Sequence, residues 1–465
     1  MRKTLDSQLK LGQIPIAEMK INPKDRDDIP AVLAGLRALY VDESVRAKIF
    51  EILEERVRPG MDLWRIFVLG VVKQALNIDF DRLRNLADEH RSLRQMLGHS
   101  DYVDDMEYRL QTIIDNVSLL SEDVLREINA VVVRCGHERL NHAPQDSLEG
   151  RVDSAVTQTH VHWPTDVNLL WDAMERLLRL LPRACARHEI KGWRKSRFWT
   201  NQVKAAFQQV RTSRRWRNEA KVEAYLALCR KLVARMQLTL TQLQTLKVST
   251  STIEMYLDHA VRQIDQVERR LIKNEVIPHE EKVFSIHEPH TRWINKGKAG
   301  VKAELGLPVC YLEDQHQFIL HHEVLLEGVD SDMIVPFVEE AQRHYPTLDS
   351  MSTDRGYWSP GNRTKLDKML RVNALPKKGG KSKADQARES APEFAEARQQ
   401  HPAIESTIHN LNHRGLARVR THGVKGFVRT VALGVVAANA HRLGQIVKAQ
   451  QKRYEAWHQA RRKAA

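Results

Sequence analysis

Apolar residues recur three and four apart through Ala31 to Val57 and again through Leu63 to Leu76, the spacing of a helix with one buried face. The run Leu63-Trp64-Arg65-Ile66-Phe67-Val68 is apolar almost all round and predicts a largely buried helix ending near Asn77. Asp79 or Asp81 stands where a cap would open the next helix, which carries Arg82, Arg84 and Leu86, and Ser92 where one would open a third that stops at Gly98. Residues 29–145 thus read as helical, with a helix-turn-helix-like set of short helices inside them. A plain packing or dimerisation bundle has the same spacing.

At Gly150 the period changes. Arg151 to Val161 alternates in steps of two and is rich in Val, Thr and Ala, which predicts one strand or a hairpin. Pro164-Thr165-Asp166 starts a helix, and the chain then reads as helical to about Ile277. Ile253, Leu257, Ala260, Ile264, Val267 and Leu271 form a coiled-coil seam there, and Tyr225, Leu232, Met236, Leu243 and Leu246 lie on the preceding arm of a helical hairpin. Strands are expected at 283–286, 302–307, 309–312 and 318–326, a helix over 334–345, a short strand ending near Thr353, and two last helices from Pro402 and Val424. Such an order is mixed α/β.

Composition adds a partner. The 465 residues carry a formal charge of +14, which points to a polyanion, either nucleic acid or an anionic membrane surface. The excess is local: Arg176 to Arg235 holds seventeen Lys/Arg against three acids, and Leu411 to Ala465 holds twelve against Glu455 alone. No leader-like or membrane-spanning apolar run is present, and Cys135, Cys185, Cys229 and Cys310 show no metal-ligand spacing. A cytoplasmic protein with reduced thiols is the expectation.

Three carboxylates stand where such a sheet would gather them. Asp153 lies in the first strand, Asp354 directly follows the last one, and Glu405 sits in the first turn of a helix opened by Pro402, beside the stripe Ile404, Ile408 and Leu411. Hard divalent cations take carboxylate ligands, and a pair of them supports phosphodiester chemistry. Any one acid taken alone is more often a solvated charge or a cap.

The local wording is more specific than the spacing. Arg151-Val152-Asp153-Ser154 with His162-Trp163-Pro164-Thr165-Asp166 resembles the first-aspartate segment of insertion-sequence transposases, and Ser352-Thr353-Asp354-Arg355-Gly356-Tyr357-Trp358-Ser359 their second. His401-Pro402-Ala403-Ile404-Glu405-Ser406, followed by His413-Arg414-Gly415-Leu416, Gly426-Phe427 and Ala438-Asn439-Ala440-His441-Arg442-Leu443-Gly444, resembles their third acidic helix and C-terminal end. Between them, Ser285 to Lys298 and Glu304-Leu305-Gly306 resemble the ISNCY group of DDE transposases, as do Leu63-Trp64-Arg65 and Ser92-Leu93-Arg94 near the start. The likeness spans nearly the whole chain.

What the resemblance implies is an RNase H-like catalytic core split by a helical insertion. Asp153, Asp354 and Glu405 would be its catalytic triad and metal ligands, holding two Mg²⁺ or Mn²⁺ ions for DNA cleavage and strand transfer at the element's terminal inverted repeats. The expected division is 1–148 as a helical DNA-binding region, 149–170 and 279–447 as the two parts of the core, 171–278 as a basic insertion and 448–465 as a basic tail. Two ends to be joined imply a homodimer on double-stranded DNA. Where many relatives carry Tyr, Arg and Lys, this chain has Arg398, His401 and Asn412. Phosphate contacts there fall to Arg398, Lys425 or Arg414.

The insertion interleaves Trp193, Arg194, Lys195, Arg197, Phe198, Trp199, Arg214, Arg215, Trp216 and Arg217, a mixture suited to phosphate contact and base stacking. Lys296, Lys298, Lys302 and Arg355 join them as phosphate-binding candidates. His287, His290, His321 and His322 lack zinc-like spacing and fall to packing or hydrogen bonding. Two rivals carry the same features: an inactive, repressor-like protein that binds element ends, and an RNase H-like nuclease.

Overall fold

Side-chain caps cut the N-terminal apolar stretch into short helices. The computed structural model describes residues 13–22, 28–54, 60–100, 106–212, 218–295 and 303–464. Among these, seven helices precede the first strand: α1 (Ile29–Val41), α2 (Glu43–Glu54), α3 (Leu63–Ala75), α4 (Phe80–Glu89), α5 (Arg91–Met96), α6 (Leu110–Val117) and α7 (Glu122–Arg139). Asp62 accepts from the Arg65 N–H and Asp79 from the Arg82 N–H at 2.8 Å, so one orphan donor at each start is satisfied. The start of α5 differs from the expectation: His90 caps it through Nδ1, and Ser92 is its buried second residue. Nearly every side chain of α3 is buried.

The chain divides into two compact units, Met1–His160 with Gly306–Ala465, and Val161–Leu305. The first strand, β1 (Leu148–Thr159), belongs to the former. The latter contains α8 (Asp166–Arg187), α9 (Ser196–Thr212), α10 (Glu219–Thr245), α11 (Ser251–Leu271) and a short strand, β2 (Arg292–Ile294). Thr165 caps α8 through the Asn168 N–H. One apolar face of α8, from Val167 to Cys185, is buried with Ile253, Leu257, Ala260, Ile264 and Val267 of α11 in a core of this unit's own. The helical unit therefore begins ahead of α8, which spends its whole apolar face there. The run 283–286 forms no strand; Ile286 instead plugs the helical core.

The remaining strands are β3 (Glu304–Glu313), β4 (Ile319–Val324), β5 (Leu348–Thr353), β6 (Val372–Ala374) and β7 (Arg418–Val419), which complete a mixed seven-stranded sheet. β1 pairs antiparallel with β3 and parallel with both β5 and β7; β4 extends β3, and β6 extends β5. Around them lie α12 (Asp330–His344), α13 (Pro360–Met369), α14 (Lys383–Glu389), α15 (Pro392–Gln400), α16 (Ala403–Leu411) and α17 (Gly423–Ala464). The protein is mixed α/β and mostly helical.

Alternation along β3 feeds two cores, since successive side chains of a strand face opposite ways. Cys310 and Leu312 join a cluster that runs from Ile16 through α1, α3 and α7 to Ile446, while Leu307, Val309 and Tyr311 pack with Leu411, Leu416, Phe427 and Val431. The N-terminal helices thus share one continuous core with the sheet, and residue 148 marks no break in it. Residues 448–464 continue α17 without interruption.

His321 and His322 are buried on β4. Burial pushes the His321 imidazole down to about 3 and His322 well below the ordinary value, with Arg126 adding to both. Their folded-state pKa lies below the unfolded one, so the stability tied to their neutrality is present above about pH 6.5 and is lost as pH falls. In His321→Asn, the slope of unfolding free energy against pH below about 6 is expected to shrink by roughly one proton, about 1.4 kcal/mol per pH unit. Denaturant titrations at a series of pH values measure it.

Candidate active site

Strand register brings the two aspartates side by side. The parallel ladder of β1 with β5 runs through Arg151–Ser352 to Val152–Thr353, and the next residues along the chain are Asp153, still in β1, and Asp354, just past the end of β5. Paired residues of a parallel ladder share a face. Asp354 directly follows β5 and caps nothing with its side chain. α16 packs against β1, and its first turn carries Glu405, whose side chain is exposed.

A buried network fixes α16 against the sheet. Arg151, the β1 residue opposite Glu313 on β3, approaches Glu313 Oε2 with Nη1 at 3.6 Å and donates from Nη2 to Gln400 Oε1 at 3.4 Å. Thr407 Oγ1 donates to Glu313 Oε1 at 2.6 Å. Glu313 is fully buried, and burial pushes its carboxyl above the usual range against the pull of Thr407 and Arg151. A buried carboxylate is tolerated only with such partners. Thr407 lies two residues beyond Glu405, so this pin sets where Glu405 stands.

A second set of contacts orients Asp354. His401 Nε2 lies 3.2 Å from Asp354 Oδ1, and its Nδ1 lies 3.1 Å from Ser352 Oγ. Arg398 Nη1 donates to the Thr353 carbonyl at 2.6 Å. The His401 hydrogen bond holds the Asp354 carboxyl below its ordinary value, helped by the charges of Arg398 and Arg355.

Asp153 is shifted the other way. Burial raises its carboxyl first, and the neighbouring Asp354 and Glu405 carboxylates raise it further, against the Ser154 N–H and His401. Three acids from three distant segments therefore share one electrostatic neighbourhood, with an all-oxygen donor set of the kind hard cations take. A cation placed among them would relieve the repulsion on Asp153, so the residues fit such an ion by charge and donor type. Among the described residues no group of three or more His, Cys, Asp or Glu is already arranged to hold a metal ion.

The sequence-derived phosphate ligands separate into several environments. Arg355 and Lys425 are exposed, and Arg398 is partly buried and engaged with Thr353. Arg414 is a correction: it is buried, donating from Nη1 to the Ala75 carbonyl at 2.9 Å and pairing with Asp28 at 3.0 Å. The π-turn at Asn412–Leu416, with Gly415 at φ 87°, directs the chain inward there. Arg194, Lys195 and Arg197 are exposed at the head of α9, and Trp199 is partly buried with Lys231 5.9 Å from its ring centroid. Trp193 is buried and donates to Thr239 Oγ1, so it serves packing. Arg214, Arg215, Trp216, Arg217, Lys296, Lys298 and Lys302 lie outside the described residues.

Sequence reasoning missed Glu313, Thr407 and the role of His401. An acidic pair, Glu313-Asp314, closing the apolar run Leu307 to Leu312 was the visible signal. His401→Ala is expected to lower any activity of this site about tenfold and to move the acidic limb of its pH profile upward, because Asp354 loses the group that keeps it ionised. A purely structural role for His401 would lower the rate and leave the limb in place.

No family model, curated protein or solved structure matches the chain.

Proposed function

We propose that the chain is a DDE-type DNA transposase. Its RNase H-like core carries Asp153, Asp354 and Glu405 as ligands for Mg²⁺ or Mn²⁺, and it acts on double-stranded DNA at the ends of an insertion sequence as a homodimer. The observation that carries this reading is the placement of the three acids: β1 pairs with β5 up to the residues before Asp153 and Asp354, and α16, which carries Glu405, packs against β1. When bound, two such ions supply activation of the attacking oxygen and neutralisation of the leaving one.

The chain's own residues position. Asp153 lies within a central strand, Asp354 is held by His401, and Glu405 is exposed on a helix pinned through Thr407. Arg355 and Lys425 offer exposed cations to the phosphate backbone. The exposed Arg194, Lys195 and Arg197 of the helical unit add a second basic surface, so binding is expected to weaken steeply with salt as phosphate counterions are released.

The test uses purified protein, labelled element-end duplex and Mn²⁺. Cleavage followed by joining of the 3′ end to a second duplex supports the reading. Binding without cleavage in the wild type sinks it, and cleavage without joining turns it into a nuclease.

A further inference from the structure

The helical unit Val161–Leu305 contains a half-open cavity of about 560 Å³, lined by Trp163, Phe284 and Trp293 with Asp166, Arg270 and Lys282. This lies within the range of small-ligand sites. Trp163 and Trp293 stand edge to face with centroids 4.9 Å apart, and Phe284 lies 5.6 Å from Trp293. Trp163 nevertheless remains 52% exposed. So large an apolar ring, already packed on one side and left open on the other, is a stacking platform without its upper layer.

The polar wall selects the sign of the ligand. Arg270 Nη1 donates to Asp166 Oδ2 at 2.7 Å, which fixes the guanidinium while leaving its side chain 45% exposed. Lys282 adds a second cation, so two positive groups face one carboxylate. A flat π-face beside a net positive rim matches a planar base that carries a phosphate.

We propose that this cavity receives one unpaired nucleotide of a DNA strand, its base stacked on Trp163 and Trp293 and its phosphate at Lys282 and Arg270. The proposal deepens the DNA-processing reading given above and rests on it for the origin of the strand. It also relocates the stacking surface from the buried Trp193 to residues that are open to a ligand.

The experiment uses the full chain without divalent metal. The probe is a single strand of arbitrary sequence, about ten nucleotides long, which spans one such binding site, with a 5′-phosphate and 2-aminopurine at its end. Binding is expected to quench the 2-aminopurine. Trp163→Ala should weaken binding about tenfold, the size of one lost base stack, and abolish the quenching; Lys282→Gln should lower the salt slope by about one. Trp163 is exposed, so its variant should melt as the wild type does, and a matched melting curve shows that the loss is local.

No strand binding, or unchanged affinity and quenching in Trp163→Ala, overturns the proposal. A free deoxynucleotide monophosphate binding as tightly as the strand overturns the assignment to DNA. Because the probe needs neither metal nor element sequence, quenching without any duplex cleavage would leave the cavity's role standing while the transposase reading fell, and cleavage without quenching would do the reverse.

Discussion

Asp153→Asn is expected to lower metal-dependent DNA cleavage by at least about a thousandfold, roughly 4 kcal/mol of transition-state stabilisation, while leaving DNA binding unchanged. The amide keeps the shape of the carboxyl and removes its charge and one hard-oxygen ligand. The same substitution should not weaken the fold. Asp153 is held above its ordinary pKa by burial and by two neighbouring acids, so its ionisation costs stability that is absent below the unfolded pKa and grows as pH rises through the folded one. The variant is therefore expected to unfold at higher denaturant than the wild type near about pH 8, with the gap closing toward about pH 4. Loss of activity with gain of stability is the pattern of a site strained for function. Retained cleavage removes Asp153 from the chemistry, and lower stability at the higher pH shows that its carboxylate is satisfied rather than strained.

How much of this was legible in the sequence follows from where the physics is local. β1 announces itself by period-two alternation, and Asp354 by its place just after a short strand. The caps Asp62 and Asp79 act over three residues, so a sequence window contains both partners. His401 with Asp354, and Arg151 and Thr407 with Glu313, are joined only through register and helix docking across 47 to 162 residues, and no window contains them. The short helices α13 to α15 fall between the strand expected to end near Thr353 and the helix expected from Pro402, where no helix was expected, although Ser382 and Asp385 form a capping box there. The run at 283–286 misled because a brief apolar stretch suits a strand and a core plug equally.

The segment Ala438 to Gly444 shows a different failure, since its wording suggests a functional motif and its structure is a packing device. Asn439 is buried and bonds Ile319 and Asn129, while His441 lies 3.2 Å from Asp28. Gly444 sits where α17 crosses α1: a Cβ built there would lie 1.7 Å from the Ala31 carbonyl oxygen, and one on Gly35 would lie 1.9 Å from that of Ala440. Both obstacles are backbone, so neither can rotate away. Within a helix, replacing Gly by Ala ordinarily gains about 0.5 to 1 kcal/mol. Gly444→Ala is expected instead to cost about 3 kcal/mol or more, since the helices must separate along a crossing that anchors the continuous core. Gly380→Ala, with nothing within 4 Å of its added Cβ, is the control and should be near neutral. Guanidinium unfolding midpoints compare the two, and equal midpoints would mean that α1 and α17 do not cross at these glycines. Because Arg414 and His441 reach Asp28 at the start of α1 from either side of the same crossing, loosening it should also free the chain between α16 and α17. Any activity of Glu405 should then fall further than the loss of folded protein explains.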